Sequence, residues 1–538
     1  MSIKKLKMRE ASHKKINGIV YTPKWIVELI LDKLDYKENI EEKKIIDPAC
    51  GDGAFLSIVV KRFIESCLKN EKQLEEIKRL LEKNIYGIDI EKIAVDNCKI
   101  KLKEVTKEYG IFDIEWNILE DDSLEKRRFS NMFNTFDFVV GNPPYIRIQH
   151  LGKERRSKIQ NDWSLCKYGS TDIFIAFFEL GYYLLNDKGK LGYITPNTFL
   201  KTKAGKSLRN FLRNSLSLKV LIDFEHNQVF ENATTYSLIT ILDKGHKKST
   251  FSLYKGDLGV IKYIDEVDIN NLDMDNWILA SNDILKKIGN IEDRGISLDK
   301  IAKIHVGITT LADDYYIFQN LVFEGNKAKI KLKDGRVFNI EKSILKPIVK
   351  VSVLKDEQEE QNRFIIFPYK KISGKHTIIP EDELKKEYPL TYAYFLAIKD
   401  ILLSRDKGKP NPVSWYAFGR SQGLDTSFGK KILTSPINLK PKFIVWEKED
   451  YTFYAGYCIK YDGDLNWLAN NLNSAEMEFY INSISRNYQN NYKSFAKSFI
   501  RNFSIEVEKS ILSTKKDKIQ QLFQIETSSS PKKTAGES

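Results

Sequence analysis

Between residues 45 and 242, short runs of apolar, β-branched residues alternate with longer stretches whose apolar residues recur at helical spacing. This alternation predicts a parallel sheet with helical crossovers, because parallel neighbours cannot be joined by a tight turn. Strands are predicted at 44–47, 85–90, 136–140, 190–195, 220–224 and 237–242, with one long helix over 54–83 between the first two. The run Asp-Lys-Gly-His-Lys-Lys-Ser-Thr at 243–250 reads as a polar linker, and beyond it the alternation stops. A boundary is placed there, giving one domain over 1–245 and a second over 246–526. The second has no readable periodicity. Residues 527–538 are Ser, Lys and small residues, expected to be disordered because they cannot bury enough apolar area to offset chain entropy.

Composition sharpens this picture in three ways. A chain of 538 residues exceeds the roughly 250–300 at which a single core stops growing, so two large domains are expected. A net charge of +13 suits a polyanionic partner but does not separate DNA from RNA or lipid headgroups. The five cysteines are scattered and never spaced C-x-x-C, which indicates neither a disulfide framework nor a zinc site and favours a reducing cytoplasm. No apolar run approaches the roughly 20 residues that span a bilayer, so no membrane partner is expected.

Two segments have the form of a small-ligand site. In Asp47-Pro48-Ala49-Cys50-Gly51-Asp52-Gly53 a strand passes through a glycine turn into a helix. Glycines admit positive φ and let a ligand approach the backbone. The dinucleotide fingerprint G-x-G-x-x-G is not met, since Leu56 stands at the third glycine. One strand later, Asp89 ends Tyr86-Gly87-Ile88-Asp89, where a carboxylate can accept from a ribose diol. Alone, such an acid is more often a helix cap. A third acidic element, Glu120-Asp121-Asp122, can face an adenine amino group, or be a solvated turn.

The most specific signal is Asp137-Phe138-Val139-Val140-Gly141-Asn142-Pro143-Pro144-Tyr145, an apolar strand running straight into Asn-Pro-Pro-Tyr. The two prolines fix φ and remove backbone donors, leaving the Pro143 carbonyl as a pre-organised acceptor. An aromatic amine such as the adenine N6 is a poor nucleophile because its lone pair is delocalised into the ring. The Asn142 amide oxygen and the Pro143 carbonyl oxygen can accept its two hydrogens and aim the lone pair at a methyl donor, with Tyr145 stacked on the base. Neither a metal nor a covalent intermediate is required. A base in a duplex must first be extruded.

On these residues the chain resembles the gamma-class, TaqI-like adenine-N6 DNA methyltransferases, in that family's motif order over about 17–242. The resemblance implies a Rossmann-like α/β sheet, mostly parallel with one antiparallel strand, that binds S-adenosylmethionine, followed by an α+β DNA-recognition domain. It places Thr22 near the cofactor carboxylate and gives Asp47, Ala49, Gly51 and Gly53 to the first glycine motif. Asp89 becomes the ribose acid, Asp122 the acid reading the cofactor adenine, and Phe177 its packing partner. Asn142, Pro143 and Tyr145 match the catalytic tetrapeptide, while Val20 and Phe230 fall against the flipped base. Asp89 stands where the type member has Glu, and Ser123 replaces an apolar residue. The partners implied are double-stranded DNA and a cognate restriction endonuclease, with the enzyme itself a monomer.

After the tetrapeptide, Arg147, Lys153, Arg155, Arg156 and Lys158 face only Glu154, which marks a basic loop for phosphate contact. Near the C-terminus, Lys493, Lys497 and Arg501 alternate with Phe495, Phe499 and Phe503 at four-residue spacing, predicting an amphipathic helix with a basic stripe and a buried face. Asn-Pro-Pro-Tyr also occurs in methyltransferases acting on glutamine amides of release factors and on RNA bases. The long C-terminal domain favours DNA, since one adenine among many sites needs a reader. Cytosine-N4 transfer uses the same chemistry with a tetrapeptide that usually begins with Ser or Asp.

Overall fold

In the computed structural model, residues 22–506 are described, apart from 226, 228, 231–235, 258, 360–361 and 486–487. Val20 and the tail over 527–538 lie outside them. The chain divides between Leu285 and Lys286 into two compact units.

The first unit is built on a nine-stranded sheet. Its elements in chain order are α1 (Lys24–Lys33), β1 (Ile45–Asp47), α2 (Ala54–Lys69), α3 (Leu74–Asn84), β2 (Ile85–Asp89), α4 (Lys92–Lys107), β3 (Asn117–Glu120), β4 (Phe136–Gly141), α5 (Lys153–Asp162), α6 (Phe174–Leu184), β5 (Leu185–Pro196), α7 (Lys206–Ser215), β6 (Leu218–Asp223), β7 (Ser237–Asp243), β8 (Thr250–Asp257) and β9 (Val260–Asp268). The strands lie in the order β3-β2-β1-β4-β5-β7-β6-β8-β9. From β3 to β5 every pairing is parallel, and β7 runs antiparallel between β5 and β6. The sheet is mostly parallel and α/β, as the resemblance implies, with β9 as well as β7 running antiparallel to its neighbour.

Neighbouring residues on a strand face opposite sides, so a sheet covered on both faces reads as continuous apolar runs. Phe138, Val140 and Ile194 join one core with α1, α2 and α4, while Ile46, Val139, Leu191 and Tyr193 join the other with α6 and α7. Each fully buried aliphatic or aromatic side chain contributes roughly 1.5–3 kcal/mol. α1 settles with Ile26, Val27, Ile30 and Leu31 fully buried, because β5 carries glycine at the crossing. A Cβ on Gly192 would lie 2.5 Å from Ile30 Cγ2 and 2.9 Å from Leu34 Cδ1.

Three sequence expectations are corrected. The boundary at 245/246 falls inside the sheet, since β8 pairs parallel to β6 and β9 antiparallel to β8. The polar run before β8 is a tight connection in which Asp243 Oδ1 accepts from the Gly245 amide, and turn residues look alike in a linker and in a sheet connection. The helix over 54–83 is two helices, broken where Glu71 adopts φ 55°. The helix expected over 493–503 does not form. Ser494 and Ser504 instead lie in two-residue strands, Lys493–Ser494 and Ser504–Ile505, on either side of a helix of four residues, Lys497–Ile500. Phe495, Phe499 and Phe503 are buried as predicted, but Lys497 Nζ donates to the Ile304 carbonyl, so the basic stripe is broken.

The second unit is α+β. One four-stranded sheet is formed by Lys303–Val306, Tyr457–Lys460, Lys431–Thr434 and Ile444–Trp446, and another by Ile317–Gln319, Arg363–Ile366, Leu345–Lys350 and Thr452–Tyr454. A three-stranded meander (Val322–Glu324, Lys327–Lys331, Val337–Glu341) and short helices pack around a core rich in Tyr and Phe.

Because Ile30 is β-branched and stiff, Gly192→Ala is expected to lift α1 from the sheet at a cost of about 1–3 kcal/mol. Urea unfolding would read this as a lower midpoint with an unchanged m value, and an unchanged midpoint would show that α1 is not seated on β5.

Candidate active site

The C-terminal ends of β1, β2 and β4 lie side by side, and the residues singled out in the sequence leave the sheet there. At the end of β1, Asp47 is 1% exposed and its Oδ1 accepts from the Ala49 amide at 3.0 Å. The chain then turns through Gly51 (φ 52°) and Gly53 (φ 82°) into α2. The inner side of this turn is tight, since a Cβ on Gly53 would lie 2.8 Å from Cys98 Sγ; at Gly51 nothing lies within 4 Å of that position. Cys50 N donates to Ile88 O at 3.0 Å, which fastens the turn to β2.

Asp89, at the end of β2, stands beside that turn as expected. Its Oδ2 accepts from Gly51 N and its Oδ1 from Glu91 N, both at 2.9 Å. The cap reading and the ligand reading are therefore compatible, because each carboxylate oxygen has a second lone pair. Burial raises the pKa of both acids. Asp47 is pushed up to about 8, chiefly by burial and further by the Asp89 charge, against the Ala49 hydrogen bond. Asp89 rises for the same main reason, opposed by the Glu91 and Gly51 amides.

The third acidic element is tied to the first. Ser123 Oγ donates to the Pro48 carbonyl at 2.5 Å, and Asp122 Oδ1 accepts from Leu124 N at 3.1 Å. Ser123 departs from the family pattern, and its buried hydroxyl joins two loops; spacing carried no sign of that bond. Phe177 is 5% exposed in the same apolar cluster that Ala49 packs against.

The Asn-Pro-Pro-Tyr corner adjoins the glycine turn. β4 ends at Gly141, where a Cβ would lie 2.6 Å from Asp47 Oδ1, so only glycine lets the two strand ends approach this closely. Asn142 follows, and its Nδ2 donates to Thr22 Oγ1 at 3.0 Å. Pro143 is buried. The Tyr145 hydroxyl reaches the Ile194 carbonyl at 3.5 Å, and burial pushes its phenol well above the usual range. Tyr145 and Phe230, both expected against a shared base and 85 residues apart in the chain, do meet: their ring centroids are 6.4 Å apart at 65°. A cavity of about 240 Å³, lined by Trp25, Phe224, Asn227, Val229 and Gly259, lies one residue from Phe230 along the chain.

The segment beyond Tyr145 is more structured than a basic loop. Ile173 N donates to Ile146 O at 2.8 Å and Ile148 N to Thr171 O at 3.0 Å, forming a bridge between Arg147 and Asp172. Lys153, Arg155, Arg156 and Lys158 fall on α5. Arg155 pairs with Asp122 Oδ2 at 3.0 Å, and Lys158 pairs with Glu125. Two expectations thus converge on one ion pair, because the residue assigned to DNA and the acid assigned to the cofactor adenine hold each other. Arg147 and Lys153 are exposed and Arg156 is half-buried. Also unforeseen is Asp223 at the end of β6, whose Oδ1 accepts from Glu225 N at 3.0 Å and from Asn197 Nδ2 at 3.4 Å.

Asp47 gives the fold a pH dependence. A carboxyl near 3.9 when unfolded and about 8 when folded stabilises fully below pH 4, and that contribution is lost as pH rises towards 8. The slope is at most ~1.4 kcal/mol per pH unit. Asp47→Asn is expected to match wild type in urea at pH 4.5 and to exceed it at pH 8.5; equal stability at both would contradict the assignment.

Over residues 83–230 the sequence matches the Eco57I restriction-modification methylase family. It is 30% identical over 477 residues to the Type II restriction enzyme and methyltransferase RM.Eco57I of Escherichia coli, covering 76% of this chain and 48% of that one. It is 26% identical to the Type II methyltransferase M.BstVI of Geobacillus stearothermophilus, covering 94% and 92%. The chain therefore spans about half the length of the first relative and nearly all of the second. The Type IIL restriction-modification enzyme MmeI, solved in complex with DNA, shares the fold at 13% identity, with a TM-score of 0.57 over 88% of this chain and 65% of that one. Residues 83–230 are thus similar to the Eco57I restriction-modification methylase family, and the chain as a whole is similar to the Type II methyltransferases.

Proposed function

We propose that this protein is a site-specific DNA methyltransferase that transfers a methyl group from S-adenosylmethionine to the N6 amine of a flipped adenine in double-stranded DNA, as the modification enzyme of a restriction-modification system. One observation carries the reading: the Asn-Pro-Pro-Tyr corner leaves β4 against the glycine turn that leaves β1, with Gly141 and Asp47 in contact distance. A methyl donor bound at the turn and an amine bound at the corner would be neighbours.

The residues present fit that cofactor. Gly51 offers an open backbone approach, Asp89 keeps lone pairs for a ribose diol, and Ala49 with Phe177 supplies an apolar wall. When bound, S-adenosylmethionine supplies a methyl group on a positively charged sulfur. Asp47, buried and near-neutral, orients the Ala49 amide and the start of the turn. Asn142 Oδ1 and Pro143 O accept the two amino hydrogens and localise the nitrogen lone pair. Tyr145 holds the extruded ring, with Phe230 at its edge, and stacking of this kind is worth roughly 1–3 kcal/mol per base.

Exposed Arg147 and Lys153 sit on the chain just beyond the corner and are suited to phosphate contact. The second unit is assigned to target recognition. This rests on its size and on the Type II methyltransferase relatives that extend over it, and a glutamine-amide methyltransferase has no need of such a unit. A cognate endonuclease is the partner that such a system implies.

Asn142→Ala is expected to retain cofactor affinity within about threefold and to lose at least 100-fold in tritiated-methyl transfer to unmodified DNA, the usual loss when a preorganised polar contact is removed. Wild-type rates in this variant would remove Asn142 from the chemistry. Tyr145→Ala should lose roughly ten times less on a mispaired target adenine than on a paired one, because mispairing lowers the cost of extrusion. Equal losses on both substrates would refute the stacking role.

A further inference from the structure

The geometry points to Thr22 as the positioning residue that anchors the Asn142 carboxamide through its nitrogen arm, an inference that rests on the proposed adenine-amine chemistry. A carboxamide presents an oxygen acceptor on one arm and two N–H donors on the other, with almost the same shape. Against an amine that must itself donate two hydrogens, only the oxygen-inward orientation helps. The inverted group sets donor against donor. The side chain of Asn142 does not choose between these by size, so its neighbours must hold the productive one.

Thr22 is placed to do so. Asn142 Nδ2 donates to its Oγ1 at 3.0 Å, which commits the nitrogen arm and turns Oδ1 to the other arm of the amide plane. The hydroxyl is held rigidly. Thr22 is 3% exposed, and its β-branched side chain has few rotamers. The next residue, Pro23, has φ −60° and precedes α1, and Ile26 N donates to Pro23 O at 3.0 Å. α1 in turn is seated on β5 at Gly192, and β5 is the parallel neighbour of β4, the strand that delivers Asn142. The hydroxyl and the carboxamide are thus fixed to adjacent strands of one sheet although 120 residues separate them. A shift of about 1 Å in such a contact can cost ~100-fold in rate.

The test is single-turnover methyl transfer to an unmodified phage DNA that the wild-type enzyme modifies, at saturating cofactor. Thr22→Val keeps the shape and removes the acceptor. It is expected to slow transfer roughly 10- to 100-fold while DNA affinity and melting temperature stay at wild-type values. Thr22→Ser, which restores a hydroxyl, should come back to within about threefold of wild type. Should Thr22→Val fail to fold, Thr22→Ala carries the same expectation. Three results would overturn the role: Thr22→Val at the wild-type rate, Thr22→Ser as slow as Thr22→Val, or a Thr22→Val defect confined to cofactor affinity and abolished at saturation. A wild-type enzyme that puts no methyl on DNA adenine would instead remove the functional reading beneath it.

Discussion

The parallel pairing of β1 with β4 is the constraint on which the rest of the first unit depends. Ile45 and Ile46 pair with Phe138 and Val139, so both strands end at the same edge of the sheet. Each then turns out of the sheet, through glycines on one side and two prolines on the other. Glycine at 141 removes the one Cβ that would hold the corners apart. The opposing faces of these strands are filled by two separate apolar cores, and the corners themselves are left with polar side chains and backbone groups to present.

Around that pair, hydrogen bonds make the loops one piece. The glycine turn is fastened to β2 through Cys50 and Asp89 and to the acidic turn through Ser123. The acidic turn is fastened to α5 through the Arg155 and Lys158 ion pairs, through Lys126 Nζ donating to the Asp162 carbonyl, and through Trp163 Nε1 donating to the Leu124 carbonyl. A buried indole satisfied in this way is a stronger anchor than the half-exposed ion pairs beside it, which surface screening weakens. The helix that follows the Asn-Pro-Pro-Tyr corner and the acidic turn proposed to face the cofactor adenine are therefore tied together. Preorganisation of this kind lets weak acceptors such as amide oxygens act on a poor nucleophile.

Much of this was legible in the residues. All six predicted strands form, because a sheet buried on both faces writes itself as short β-branched runs. β3, β8 and β9 escaped detection. β3 is an edge strand with Leu119 and Glu120 exposed, and β9 alternates too weakly to be told from a solvated loop. The interrupted helix at residue 71 and the broken stripe at 493–503 failed for one reason: helical spacing of side chains says nothing of the backbone turn between them. In the site, motif residues found each other as their order implied, with Asp89 on Gly51 and Tyr145 near Phe230. Ser123, Asp223 and the Arg155–Asp122 pair could not be foreseen, since each is a contact between residues that no spacing links. Thr22, expected near the cofactor carboxylate, also accepts a hydrogen bond from Asn142, a contact that no spacing signalled.

In the proposed function, a proline-locked corner beside a glycine turn directs a methyl group to the exocyclic amine of one adenine in DNA. Single-molecule sequencing of DNA from cells expressing the protein tests it most directly, since base, position and sequence context are read together. N6-methyladenine at one fixed position of a single short motif is the expected result. Methylation on cytosine N4, or the absence of any modified DNA base while the protein is folded and present, would contradict it.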